Sequence, residues 1–268
     1  IVIFVSVYLG FAALPWAPGL SPTSLNLGLF YIFAILSMET IGILMAGWGS
    51  NNKYALLGSM RSVAQMVSYE IPAGIALISA VMISQTFNMQ EVSLKQGILS
   101  TETILFFGVW NVSTIGGFLA WNIFQAPHLI LAYLIYFIAS LAECNRAPFD
   151  IPEAESELVA GFHVEYSGLR FAFVFLAEYS MMFLVGMIGV ILFFGGWNSP
   201  LPNIGVARLA DWTTNVGWGI FWVLIKTLLV VAVQIWIRWT VPRLRVDQLM
   251  SFCWKVLTPL AFLCKIDY

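Results

Sequence analysis

The stretch FAFVFLAEYSMMFLVGMIGVILFF, from Phe171 to Phe194, is a long apolar run that carries a single charged side chain, Glu178. The hydrocarbon core of a membrane is about 30 Å thick, and a helix needs roughly 20 apolar residues to cross it. The run is continuous, whereas a barrel strand would alternate apolar and polar residues over a shorter length. The stretch therefore predicts a transmembrane helix.

Similar apolar segments flank this run on both sides, and proline-rich or glycine-rich links separate several of them. The first and last segments are shorter than a full span. We predict an all-α fold, a polytopic transmembrane helix bundle with about seven spans in a single domain covering residues 1–268. The predicted spans are Ile1–Leu14, Leu27–Ala46, Ile71–Phe87, Phe118–Leu141, Phe171–Phe194, Gly219–Trp239 and Leu249–Leu263.

The composition agrees with a lipid-embedded protein and excludes several function classes. Of 268 residues, 60% are hydrophobic and 10% are charged, against about 25% charged in soluble domains. The net charge of −2 gives no basic footprint for nucleic acid. Cys144, Cys253 and Cys264 form no CxxC pair, so we predict no zinc or iron–sulfur site within this chain.

Successive spans cross the membrane in opposite directions, so the loops between them form two sets, one on each side, and basic residues are distributed unevenly between these sets. The set that is poor in basic residues holds Lys95 and Arg208. Because positive residues favour the cytoplasmic side, we place the rich set in the cytoplasm, or in the matrix of an organelle. Most acidic residues share this side, so we expect the chemistry or a partner there. The rich set holds Lys53, Arg61, Arg146, Arg170, Arg238, Arg243 and Arg245.

Five ionisable residues lie in or at the edges of the apolar runs. Charge inside a span costs a few kcal/mol or more, so each case needs a partner or a purpose. Several carboxylates in one bundle favour a hydrated or proton-carrying interior. The alternative is a set of structural pairs at helix ends, such as Glu70 just before Pro72. The five residues are Glu39, Glu70, Glu143, Glu178 and Lys226.

The densest group of charges is in LAECNRAPFDIPEAESEL, from Leu141 to Leu158, within an acidic loop that we assign to residues 142–170. Pro148 and Pro152 exclude a continuous helix through its centre. Phe149 and Ile151 favour a buried loop, although an ordinary solvated acidic loop is the alternative. His163 and His128 stand alone in sequence, so neither is predicted to bind a metal. The carboxylates around the single Arg146 are Glu143, Asp150, Glu153, Glu155 and Glu157.

Three blocks of sequence resemble those of the H subunit of bacterial NADH-quinone oxidoreductase (respiratory complex I), in a family that includes mitochondrial subunit 1 and its chloroplast counterpart. They are GWGSNNKYALLGSMRSVAQMVSYEIP (Gly47–Pro72), LAECNRAPFDIPEAESELVAGFHVEYSG (Leu141–Gly168) continuing into FLAEYSMM (Phe175–Met182), and WIRWTVPRLRVDQLMSFCWKVLTPL (Trp236–Leu260). The family fold has eight transmembrane helices. The resemblance implies that the seven predicted here are the second to the eighth, with the first helix missing from this sequence.

The resemblance also implies a function in a proton-pumping NADH:quinone oxidoreductase. The chain would form the membrane part of a quinone tunnel and the start of a proton path, with ubiquinone or menaquinone as substrate and no redox cofactor of its own. Its partners would be small membrane subunits and hydrophilic subunits at the quinone site, one of which carries the terminal iron–sulfur cluster. The location would be the bacterial inner membrane or, alternatively, the mitochondrial inner membrane.

Roles for individual residues follow from the same resemblance. Glu39 departs from the family pattern, which has an apolar residue there, and its role stays open. The other assignments are the carboxylate proton path (Glu70, Glu143, Glu178, Glu153, Glu155 and Glu157), the quinone cavity and entrance (Arg146, Phe149, Asp150, Tyr179 and Arg238) and the closing motif (Arg243, Arg245 and Asp247).

Two other functions remain open on the sequence alone. A stand-alone ion transporter could use the same buried carboxylates, and it would purify without partner chains. A related membrane oxidoreductase linked to hydrogenase, formate, ferredoxin or F420 could use the same fold, because the electron donor binds other subunits. The arginines at positions 238, 243 and 245 could also be simple membrane anchors.

Overall fold

The computed structural model describes residues 1–97, 100, 105–106, 110–111, 116–150, 161–163, 165–203, 212–213 and 215–266, and the predicted all-α membrane bundle is confirmed. A two-residue strand pair, β1 (Leu105–Phe106) and β2 (Trp110–Asn111), is a minor addition. A π turn at Cys253–Leu257 joins the last two helices. The helices are α1 (Val2–Gly10), α2 (Gly28–Gly49), α3 (Lys53–Ser84), α4 (Met89–Lys95), α5 (Pro127–Glu143), α6 (Leu169–Phe193), α7 (Val216–Thr240), α8 (Val246–Phe252) and α9 (Thr258–Ile266).

Helices α2, α3, α6 and α7 are each long and apolar enough to cross a membrane, and α5 is a shorter apolar helix. The chain passes back and forth between the two ends of the bundle. One end holds residues 50–52, 144–150 and 241–245, and we call it the acidic-loop face. Its segments are tied together, since Leu244 N–H donates to Pro148 O at 3.1 Å. The opposite end holds residues 14–27 and 194–203, and we call it the far face.

Helix α3 is much longer than predicted. The predicted span began at Ile71, whereas the helix begins at Lys53, where the Asn52 side chain accepts a hydrogen bond from Tyr54 N–H at 3.0 Å. Its first half contains polar residues such as Ser62 and Gln65, which are 0% and 2% exposed. These side chains face neighbouring helices and not lipid. Hydropathy therefore underestimates the helix, because it scores every polar residue as if it faced the membrane.

Pro72 lies inside α3, so the alternative interpretation of Glu70 as a residue at a helix end is excluded. A proline has no N–H to donate to the carbonyl four residues earlier. Here that carbonyl belongs to Ser68, and it accepts a hydrogen bond from the Cys253 thiol at 3.1 Å. The π turn between α8 and α9 thus supplies the donor that Pro72 lacks.

Helix α5 is shorter than the predicted span from Phe118 to Leu141, because residues before Pro127 form 3₁₀ turns. The Asn122 side chain fixes these turns by donating to Ser84 Oγ at 3.1 Å and to Leu192 O at 2.9 Å. Pro127 then occupies the first turn of α5, where a missing N–H costs nothing. The apolar residues 118–124 are thus packed at the far face instead of crossing the membrane.

Helices α2 and α3 approach closely through small residues near the acidic-loop face. A Cβ added to Gly47 would overlap both the Cβ and the Oγ of Ser59. At the residue before Ser59, a Cβ on Gly58 would lie 3.0 Å from the Cα of Gly161, in the 3₁₀ turn Gly161–His163. Small residues allow such backbone contact between membrane helices.

We expect Gly47→Ala to destabilise the protein by about 1–3 kcal/mol, the usual cost of overpacking. Rotation of the Ser59 hydroxyl cannot relieve the overlap, because the Cβ of Ser59 is also involved. Gly217→Ala is the control, since a Cβ at Gly217 meets nothing within 4 Å. Thermal unfolding of the detergent-purified protein should show a lower midpoint for Gly47→Ala only. Equal midpoints for the two variants would contradict the close packing.

Candidate functional site

Helix α6 carries Glu178 into a group of polar side chains near the acidic-loop face. Arg146 Nη2 lies 3.6 Å from Glu178 Oε2, and His163 Nε2 lies 3.3 Å from Glu178 Oε1. The Arg146 and Glu178 side chains are 9% and 14% exposed. The guanidinium also lies over the ring of Tyr179, 4.5 Å from its centroid. A buried carboxylate is therefore contacted by two basic groups and lies beside a cation–π pair.

A serine on α2 holds the Glu70 carboxyl of α3. Ser37 Oγ lies 2.7 Å from Glu70 Oε1 and 2.9 Å from Phe33 O. A hydroxyl has one hydrogen, so it can donate to only one of these oxygens at a time. When Glu70 is ionised, Ser37 donates to it. When Glu70 holds a proton, Glu70 donates to Ser37 and Ser37 donates to Phe33. Both protonation states are thus hydrogen-bonded.

Two further carboxyl groups lie on neighbouring helices. Glu143 ends α5, and Glu39 lies on α2, where it is 4% exposed. The four helices that carry the carboxyl groups, α2, α3, α5 and α6, pack against one another. Ionising several carboxyl groups in one bundle is costly, because like charges repel and are poorly solvated there.

The loop after α5 closes the acidic-loop face over this group. Arg146 N–H donates to Leu141 O at 3.2 Å, and Phe149 N–H donates to Arg146 O at 2.8 Å. The Phe149 ring lies 5.4 Å from that of Tyr69 and is buried at 3% exposure. Arg243 Nη2 lies 2.9 Å from Asp150 Oδ2, which ties the loop to the segment before α8. Over residues 144–150 the loop is packed, and Phe149 is buried as expected. Ile151, the other apolar residue of that expectation, lies outside the described residues.

Two hollows are lined by residues of α1 and α6, including neighbours in sequence or space of Glu178 and His163. Their volumes, about 410 and 460 Å³, are in the range of small-molecule pockets, roughly 300–1,000 Å³. Phe162, which lines the smaller one, packs against the ring of His163 at 3.8 Å between centroids. The larger one has an aromatic lining: Tyr8, Phe11, Trp16, Tyr179, Ser180 and Phe183.

Of the remaining predicted residues, Glu153, Glu155 and Glu157 are outside the described residues. Arg238 is exposed in the last turn of α7, where it lies 5.8 Å from the centroid of the Trp239 ring. Arg245 precedes α8, and its N–H donates to Gln248 Oε1 at 3.4 Å. Asp247 is in the first turn of α8, where the helix dipole favours a negative charge.

Lys226, like the carboxylates, lies in an apolar run of the sequence. In the structure it is at a different end of the bundle from the Glu178 site. Its ammonium group lies near the far face and donates to three carbonyl oxygens, those of Phe194, Gly196 and Asn198, at 2.8, 3.0 and 2.6 Å. It also lies 4.4 Å from the centroid of the Trp121 ring. Lys226 is thus the anchor of the loop after α6 and has no contact with the acidic-loop face.

Sequence reasoning missed two members of the site and left the role of a third open. His163 was expected to stand alone, yet it contacts Glu178. Ser37 is one of many serines in the chain, and only the packing of α2 on α3 shows that it faces Glu70. Glu39 was noticed but had no assigned role. Within the described ranges, no three His, Cys, Asp or Glu side chains are grouped as metal ligands would be.

The fold and the site define a polytopic helical membrane protein whose bundle encloses interacting carboxyl groups next to a basic cluster. The comparisons with known proteins make this specific. The family model described as NADH dehydrogenase matches residues 1–266, and the chain belongs to this family. Relatives named as the H subunit of NADH-quinone oxidoreductase are 57% identical in Chlorobium luteolum, 53% in Chlorobaculum parvum and, for the H subunit numbered 2, 50% in Cytophaga hutchinsonii.

These alignments cover 97%, 99% and 99% of this chain, and 66%, 69% and 77% of the respective relatives. The resemblance that the sequence blocks indicated is confirmed over nearly the whole chain.

Proposed function

We propose that this chain is the membrane subunit of a proton-pumping NADH:quinone oxidoreductase, in which it forms the membrane part of the quinone cavity and the first part of a carboxylate proton path. The observation that supports it best is the contact of Glu178 with both Arg146 and His163. The next residue, Tyr179, lines an aromatic hollow. The names of the relatives support NADH and quinone as reactants. Their bacterial sources support the bacterial inner membrane as the location.

The chemistry of the site suits this function. Reduction of a quinone to a quinol takes up two electrons and two protons, so negative charge develops at the quinone until protons arrive. Carboxyl groups in a medium of low dielectric respond strongly to such a change, because the Coulomb energy between charges rises as the effective dielectric constant falls. Arg146 is placed to stabilise the negative charge, and Glu178 can then transfer or accept a proton. Electrons would reach the quinone from a neighbouring hydrophilic subunit.

Protons can continue from Glu178 towards Glu143 and Glu70. The Ser37 hydroxyl keeps Glu70 hydrogen-bonded whether or not it carries a proton, which suits a group that changes state in every turnover. The partners of this path, the small membrane subunits, would take the proton onward.

We expect Glu143→Gln and Glu178→Gln to lower proton pumping and quinone reductase activity by about tenfold or more, because each removes a positioned proton-transfer group. Both activities are measured on the assembled complex in membrane vesicles. Glu165→Gln is the control, because Glu165 is exposed on the same face and its carboxyl accepts a hydrogen bond from the Asn52 side chain at 3.0 Å. Normal pumping in both the Glu143 and Glu178 variants would overturn the proposal.

The donor of the electrons distinguishes this function from that of hydrogenase-linked or ferredoxin-linked relatives. The names of the matched relatives favour NADH. Chains that remain bound through mild-detergent purification test this directly, since an NADH-linked complex co-purifies with an NADH-binding subunit. A stand-alone ion transporter would purify without any other chain.

A further inference from the structure

Asn145, the residue directly before Arg146, has a left-handed backbone, with φ at +48°. This conformation is uncommon for residues other than glycine, and asparagine is one of the few that tolerate it. Two hydrogen bonds cross the turn that Asn145 makes after α5. Its N–H donates to Ala142 O, and the N–H of Arg146 donates to Leu141 O, both at 3.2 Å. This pattern is the Schellman motif, in which a left-handed residue ends a helix and redirects the chain.

The same turn is fixed against α3 by buried polar side chains. Gln65, which is 2% exposed, donates from Nε2 to Ala142 O at 2.8 Å. The Oδ1 atom of Asn145 lies 3.4 Å from Ser62 Oγ and 3.5 Å from Gln65 Nε2. Because Ser62 and Gln65 are themselves enclosed by the bundle, the turn cannot shift without moving α3.

The turn sets the direction in which the Arg146 side chain leaves the backbone. Both polar backbone groups of Arg146 are bound, since its N–H donates to Leu141 O and its C=O accepts from Phe149 N–H at 2.8 Å. From this position its Nη2 atom lies 3.6 Å from Glu178 Oε2 on α6. An extended or right-handed backbone at Asn145 would break the first of these hydrogen bonds and turn the guanidinium away from Glu178.

We propose that Asn145 is a positioning residue, whose left-handed conformation holds the Arg146 guanidinium beside Glu178. Its importance for quinone reduction rests on the proposed function, whereas the placement of Arg146 can be tested by itself. In that function Arg146 stabilises the negative charge that develops at the quinone, and Asn145 acts only through Arg146. Loss of the correct placement should therefore lower kcat more than it raises KM, because the interaction is strongest in the transition state.

Asn145→Val tests the proposal in the assembled complex, because a β-branched residue is strongly disfavoured in the left-handed region. We expect kcat for quinone reduction to fall by about tenfold to a hundredfold, since a misplacement of about 1 Å has an effect of this order, with little change in KM for quinone. Asn145→Gly should keep kcat within about twofold of the wild type, because glycine adopts the same backbone conformation freely. Asn145→Ala should lie between the two, and it replaces the valine variant if that variant does not assemble.

Gln85→Val is the matched control, because Gln85 also has a left-handed backbone, with φ at +52°, and also ends a helix. It is exposed at the end of α3 that is away from the acidic-loop face. Both valine variants should lower the unfolding temperature, but only Asn145→Val should lower kcat. An equal fall in kcat for Gln85→Val would overturn the proposal. So would a normal kcat for Asn145→Val in a complex that loses quinone reduction with Arg146→Leu.

A measurement that needs no quinone separates this inference from the proposed function. Arg146→Leu should lower the unfolding temperature of the otherwise wild-type complex, and should lower it much less in the Asn145→Val background, where the guanidinium has already left Glu178. In the Gln85→Val background its full effect should remain. Additive losses for Asn145→Val and Arg146→Leu would contradict the positioning role. If Arg146→Leu itself leaves quinone reduction normal, the function proposed for Arg146 is wrong, and non-additive losses still support the role of Asn145.

Discussion

Arg146→Leu should destabilise the protein by about 3–5 kcal/mol and abolish quinone reduction. Loss of one member of a buried ion pair has this cost because the other charge stays buried without compensation. Here Glu178, 14% exposed, would keep only His163 as a basic neighbour among the described residues. The ring of Tyr179 would also lose the guanidinium that lies 4.5 Å from its centroid.

Removal of Glu178 in addition to Arg146 should restore stability but not activity. In the double variant Arg146→Leu/Glu178→Leu both charges of the pair are removed, so neither is left buried without its partner. The unfolding temperature of the purified complex should therefore recover. Quinone reduction should not recover, because both functional groups are gone. Arg146→Lys should be intermediate, since it keeps the charge and loses the planar contact with Tyr179. A single Arg146→Leu variant as stable as the wild type would contradict the ion pair.

Lys226→Met should be the most damaging substitution at the far face, with a loss of about 3 kcal/mol or more. Three buried carbonyls, those of Phe194, Gly196 and Asn198, would lose their donor, and each unsatisfied buried group costs about 1–3 kcal/mol. The same loop is held by Gly195 N–H, which donates to Gln96 Oε1 at 2.9 Å. The effect should therefore be a looser loop between α6 and α7 and not a complete loss of the fold.

Protease sensitivity and the unfolding temperature of the purified complex measure this effect. Leu229→Met is the matched control, because it introduces the same side chain on the same helix at a residue that is 61% exposed. Cleavage near residues 194–203 should rise for Lys226→Met only. Identical behaviour of the two variants would mean that the three carbonyls find other donors.

The helices could be predicted where a span is a long run of residues that are almost all apolar. Phe171–Phe194 and Gly219–Trp239 match α6 and α7 closely for this reason. The start of α3 could not be predicted, because Ser62 and Gln65 are polar yet buried against other helices. The start of α5 was predicted too early, because the apolar residues before Pro127 form 3₁₀ turns and are not part of the helix.

Candidate site residues could be predicted where the residue type is unusual for its place in the sequence. A carboxylate in an apolar run is visible in the sequence, so Glu70, Glu143 and Glu178 were found. Arg146 was found because it stands alone among acidic residues. His163 and Ser37 are ordinary in sequence, and their importance comes from what the folded helices place 3.3 and 2.7 Å away. Lys226 is as unusual in sequence as Glu178, and only its three carbonyl contacts show that it serves the loop.

The continuity of α3 past Pro72 depends on a thiol from another part of the chain. The carbonyl of Ser68, two residues before Glu70, takes its hydrogen bond from Cys253 in the π turn between α8 and α9. A change in that turn, though it removes no acidic residue, would therefore act on the middle of α3. Defects that arise near the end of this chain could therefore appear in experiments as faults of proton transfer.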